Sequence, residues 1–122
     1  MIATRTYRRT VVELTLDTRT QGDWTVVDVG GEVDLSSAPA LRAELEMAIA
    51  RPTRGVVVDL TGVGFMDSSG LSVLVAGLKI ARESGGDLAV VCRNESILKV
   101  LTVTGLDRLF AVHGSVGEAT AT

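Results

Sequence analysis

Three consecutive valines, Val56-Val57-Val58, bounded by Gly55 and followed by Asp59-Leu60, constrain this chain more than any other stretch. A β-branched run without polar alternation suits a strand covered on both faces, as in a parallel sheet packed between layers. A loop is expected from Thr61 to Met66, and then comes Asp67-Ser68-Ser69-Gly70. Beyond it Leu71, Leu74, Val75 and Leu78 recur at the spacing of one helix face, until Gly85-Gly86 stops the run. Strand, loop and helix are therefore expected in that order. Two serines and an aspartate stand where the helix leaves its first amides without intrahelical partners.

The flanking sequence extends this unit in both directions. Val12, Leu14 and Leu16 alternate with Glu13, Thr15 and Asp17, the period of a half-buried strand. Gln21-Gly22-Asp23 supplies a turn, and Trp24 to Val29 reads as the second arm of a hairpin closed by Gly30-Gly31. A helix capped by Ser36 or Ser37 follows, with Pro39 in its first turn and Leu41, Leu45, Ala48 and Ile49 on its apolar stripe. After the central strand and helix, Asp87 to Val91 reads as a strand. Asn94 caps a helix from Glu95 to Thr104, ended by Gly105. Leu109 to Val112 reads as a last strand, and Ser115 with Glu118 has capping-box spacing for a terminal helix. Strands alternating with helices imply right-handed crossovers. The expected fold class is α/β: a mostly parallel central sheet with an N-terminal antiparallel hairpin, and helices packed against it. Residues 1–10 are expected as a frayed arm, and residues 11–122 as a single domain.

Charge and cysteine usage narrow the function classes. Twelve basic against fifteen acidic residues leave the chain at net −3, which disfavours nucleic acid as a direct partner. No apolar run approaches the roughly 18 residues of a membrane span, so no membrane partner is expected. The lone Cys92 cannot form an internal disulfide and fits a reducing, cytoplasmic setting. At the end of an apolar strand it reads as an inert buried thiol.

Enzyme readings fare poorly. The one histidine, His113, lies far along the chain, in the loop expected before the last helix. A nucleophile elbow needs glycine two positions either side of its serine, whereas Ser68 has Met66 and Gly70. No His/Cys spacing suits a metal, and Gly62-x-Gly64 lacks the lysine of a phosphate-cradling loop. No catalytic residue, metal or cofactor is expected. At the joint, Asp67, Ser68 or Ser69 could each serve as an ordinary helix cap. A serine at an exposed helix start is also a good phosphate acceptor, because the added charge lies by free amides and the positive end of the dipole.

Phe65-Met66-Asp67-Ser68-Ser69-Gly70-Leu71 resembles the phosphorylation motif of bacterial anti-sigma-factor antagonists, small proteins built on a single STAS domain. The resemblance continues through Gly31-Glu32-Val33-Asp34, Ile97-Leu98-Lys99 and Thr104-Gly105-Leu106, and covers residues 12–120. It implies a STAS-like fold and a protein without catalysis of its own. The unphosphorylated antagonist would bind an anti-sigma factor that is also a serine kinase of the histidine-kinase-like ATPase type, releasing the sigma factor. Phosphorylation of Ser68 would break that complex, and a PP2C-type phosphatase would reset it. The family's acidic position at the end of the second strand falls on Asp34. With Asp67, Ser68, Ser69 and Gly70 it would form the partner-binding surface. Two other classes compete: a non-switching STAS scaffold subunit of a larger signalling assembly, and a small hydrolase.

Overall fold

The computed structural model describes residues 3–9 and 12–121. Six strands form one sheet in the order β1 (Ala3–Arg9), β2 (Val12–Gln21), β3 (Trp24–Val33), β4 (Gly55–Met66), β5 (Asp87–Val91) and β6 (Val112–His113). The pairs β1–β2 and β2–β3 are antiparallel, whereas β3–β4, β4–β5 and β5–β6 are parallel. Helices α1 (Ala38–Ile49), α2 (Ser68–Glu83) and α3 (Glu95–Val103) contribute to the larger core, and the short α4 (Val116–Ala119) joins the smaller one. The α/β architecture with a mostly parallel sheet and an antiparallel N-terminal hairpin is thus the one expected.

The valine run is covered on both faces. Val56 and Val58 join the larger core with Leu14, Leu16, Val27, Leu41, Leu74 and Leu88. Val57, between them, points the other way, into a smaller cluster of Trp24, Val26, Ala89, Val91 and Ala119. Successive side chains of a strand alternate faces, so a continuous apolar run can stay dry only if both sides are packed.

The structure corrects the expected strands in four places. Ala3–Arg9, expected to fray, forms an edge strand along β2, with Tyr7 opposite Leu14 and Arg5 opposite Leu16. Thr4, Thr6 and Tyr7 are good strand formers, and an unpaired β2 edge offers backbone partners. Thr61–Met66, expected as a loop, continues β4, while β3 runs past Gly30-Gly31 to Val33. The two stay paired through register shifts between Asp28 and Gly30 and between Gly31 and Glu32. The glycines mark bulges here instead of a strand end. Leu109–Val112 is not a strand: a 3-10 turn over Leu106–Arg108 precedes β6, which holds only Val112 and His113. Gly105 in the left-handed region (φ 75°) does end α3 as expected, and Asn94 Oδ1 caps that helix by accepting from the Ser96 and Ile97 amides.

Candidate functional site

The long β3–β4 pairing places the site. It carries Val33 opposite Met66, so the residues that follow each strand, Asp34 and Asp67, start from neighbouring strand ends. The Asp67 amide donates to the Val33 carbonyl at 3.1 Å, tying the entry of α2 to the end of β3. Gly70 is buried against the same place. A Cβ there would come within 2.6 Å of Met66 Cγ and 2.9 Å of Val33 Cγ1, so only glycine lets the first turn of α2 sit this close.

Asp67 is the N-cap of α2. Its Oδ1 accepts from the Ser69 amide at 2.8 Å and the Gly70 amide at 3.3 Å. This settles which of the three candidate side chains caps the helix. Ser69 supplies an amide to the cap and is half-buried. Ser68 is the first helical residue and is exposed. Among the described residues its hydroxyl has no hydrogen-bond partner, while its carbonyl accepts from the Ser72 hydroxyl at 2.9 Å. The serine pair thus divides as successive helix positions should, about 100° apart.

Asp34 is held differently. Its Oδ1 accepts from the Ser36 amide and hydroxyl, at 2.9 and 2.7 Å, and from the Ser37 amide at 3.1 Å. The Ser36 hydroxyl is the main cause holding its carboxyl below the ordinary carboxylate pKa; the Ser36 and Ser37 amides add to this, and desolvation opposes it. The carboxylate therefore organises the turn into α1. Ser37, the N-cap position of α1, makes no side-chain cap bond; its hydroxyl donates to the Glu32 carbonyl at 2.9 Å instead.

The sequence reading missed the apolar neighbours of these groups. Leu35 is 78% exposed and Phe65 49%, one beside Asp34 and the other two residues before Asp67. Two shallow apolar grooves flank α2. One, between α1 and α2, is lined by Leu35, Pro39, Arg42, Ser69 and Val73. The other runs from Ser68 along Leu71, Val75 and Lys79, with Leu106 on its far wall. Contiguous apolar surface rimmed by polar residues, as in these two grooves, is a common setting for protein contact. No sequence signal marks them: Phe65 stands in the apolar stretch Val63-Gly64-Phe65-Met66, and Leu35 reads like any other leucine.

His113 is not part of this joint. It ends β6 on the same sheet edge, with β5 between it and β4, and its carbonyl accepts from the Cys92 amide at 3.1 Å. No His/Cys/Asp/Glu group suited to a metal occurs among the described residues. Cys92 is buried, and burial is the main cause pushing its thiol pKa above the ordinary value; the Asp59 charge adds to this and the Asn94 backbone opposes it. Alkylation by iodoacetamide at pH 8 should therefore be at least tenfold slower, on the order of magnitude set by thiolate fraction and access, in native than in urea-unfolded protein. Equal rates would show an accessible thiol.

The chain matches the STAS domain family over residues 15–119. It is 32% identical to an anti-sigma-B factor antagonist of Staphylococcus aureus over 102 residues, covering 84% of this chain and 94% of that protein. Against the anti-sigma-B factor antagonist of Staphylococcus epidermidis the identity is 33% over 102 residues, with the same coverage of 84% and 94%. In three dimensions it is similar to an anti-sigma factor antagonist from Mycobacterium paratuberculosis. That comparison gives a TM-score of 0.82 and 30% identity, over 88% of this chain and 92% of the other.

Proposed function

Since this chain belongs to the STAS-domain family of anti-sigma-factor antagonists, we propose that it binds an anti-sigma factor and is switched off by phosphorylation of Ser68. The partner is an anti-sigma factor with serine kinase activity, which the unphosphorylated protein occupies so that a sigma factor is released. A PP2C-type phosphatase restores the unphosphorylated state, and the cycle runs in the cytoplasm. The protein itself is a binding module.

The observation that carries this reading is the position of Ser68, exposed at the first turn of α2 with an uncommitted hydroxyl. It stands at the end of an apolar groove. Docking over Asp34, Leu35, Phe65 and the Ser68–Gly70 turn would bury apolar area around that hydroxyl. A phosphate there adds about −1.5 to −2 charge, and burying a dianion in an apolar contact is strongly unfavourable. Such a switch needs no refolding of the domain.

The test uses purified candidate anti-sigma kinases and gel filtration. The wild-type protein should co-elute with its kinase and leave the complex when ATP is added. Ser68→Ala should co-elute with or without ATP. Ser68→Asp should bind weakly, though better than the phosphoprotein, since it carries only one added charge. Release of Ser68→Ala by ATP would refute the assignment.

A further inference from the structure

We infer that Asp67 is a positioning residue for phosphate transfer: by capping α2 it keeps the Ser68 hydroxyl out of the helix's own amides and presented to the kinase. The inference rests on Ser68 being the phosphate acceptor and adds the device that makes it one.

Serine is itself a preferred N-cap. Next to a helix start, a serine hydroxyl therefore has two competing fates. It can accept from the amides two and three positions on, which turns it back onto the fold, or it can project outward. In this protein Asp67 has taken the cap: its Oδ1 holds the Ser69 and Gly70 amides at 2.8 and 3.3 Å. The Leu71 amide is bonded to the Asp67 carbonyl at 3.2 Å. No first-turn amide within reach of a Ser68 cap is left over, so Ser68 sits one residue inside the helix with its hydroxyl uncommitted. Two further contacts accompany this cap. The Asp67 amide is tied to Val33, and a side chain at position 70 would strike Met66 and Val33.

The transfer asks for that geometry. Ser68 Oγ attacks the γ-phosphorus of the kinase's ATP, the Oγ–P bond forms, and the bond to the ADP oxygen breaks. The hydroxyl proton passes to a base on the kinase. An oxygen already accepting from the amides of its own helix has its lone pairs aimed inward and is displaced from that line. With Asp67 replaced by alanine, position 67 can no longer cap, and the helix start moves one residue to Ser68, which becomes the cap. Asparagine caps as well as aspartate does, so Asp67→Asn should leave Ser68 where it is. The pair of variants thus separates capping from charge.

The experiment measures phosphorylation of Asp67→Ala and Asp67→Asn by the kinase that modifies the wild type, together with a crystal structure of Asp67→Ala. In Asp67→Ala, kcat should fall by about tenfold or more, as misplacement of a reacting atom does, with KM changed by less than about threefold. Asp67→Asn should keep kcat within about threefold of wild type, because it still caps the helix. In the Asp67→Ala structure Ser68 Oγ should lie on the Gly70 and Leu71 amides. Wild-type kcat in Asp67→Ala would overturn the inference, as would an outward Ser68 hydroxyl in its structure. A fall in kcat in Asp67→Asn as large as that in Asp67→Ala would replace capping with an effect of the carboxylate's charge. If no kinase modifies the wild type at all, the reading of Ser68 falls, and the crystal structure still decides whether Asp67 sets its orientation.

Discussion

Val57→Asp should yield no folded protein. Val57 is 0% exposed and packs against Trp24, Val26, Ala89, Val91 and Ala119, a cluster without a charged member. An ionised carboxylate there has no partner, and the side chain cannot reach water past the neighbouring strands, β3 and β5. Burying it costs several kcal/mol even if it takes up a proton, against a total stability of about 5–15 kcal/mol for a domain of this kind. Val57→Ala is the size control and should cost only about 2 kcal/mol. Far-ultraviolet circular dichroism and soluble yield read the outcome. A soluble Val57→Asp protein melting with the wild type would mean that the second face of the sheet is open.

The second large effect is expected at Gly31. Its φ of 94° lies where a side chain is strained, and a Cβ would come within 1.9 Å of the Glu13 carbonyl oxygen and 2.9 Å of its carbon. The obstacle is the backbone of β2, which cannot turn aside as a flexible side chain would. Gly31→Ala must either break the β2–β3 ladder locally or flatten the bulge. Left-handed strain alone costs about 1–3 kcal/mol. With the lost pairing the total should be about 3 kcal/mol, or roughly 10 °C in melting temperature. The effect should reach the site, because Gly31 lies two residues before Val33, whose carbonyl holds the Asp67 amide. Gly22→Ala makes a useful contrast. It also has a positive φ, 58°, but a Cβ there meets nothing within 4 Å, so it should cost less. Equal losses at the two positions would remove the steric part of the argument.

These two residues mark what the sequence disclosed and what it hid. The valine run told of a strand dry on both faces, because three adjacent β-branched side chains escape water only when both sides of the sheet are packed. The leucine spacing of α2, the Asn94 cap and Gly105 were legible for the same reason: each is a local rule that tertiary packing reinforced. Gly30-Gly31 misled because glycine ends strands and bulges them alike. The difference lies in a carbonyl of β2 that is distant in sequence. β1 was missed because a strand at a sheet edge needs a partner more than a pattern. Leu109–Val112 has strand-forming residues, yet Phe110 and Leu106 turn toward the larger core instead and leave two residues for β6.

At the site, Asp67, Ser68 and Ser69 were visible as a group, but their division of labour was not. All three are good caps, and only the backbone around Val33 and Gly70 decides that the aspartate takes the amides. The apolar flank of Leu35 and Phe65 was hidden because exposure is a property of the folded surface. An exposed leucine in a sequence looks like any other.

The most direct test of the account is to map the phosphate. The purified protein is incubated with its anti-sigma kinase and ATP, digested, and sequenced by tandem mass spectrometry, with Ser68→Ala and Ser69→Ala alongside. A single phosphate on Ser68, absent from Ser68→Ala and retained in Ser69→Ala, is the predicted result. Phosphate on Ser69 in the wild type, or undiminished incorporation into Ser68→Ala, would contradict it.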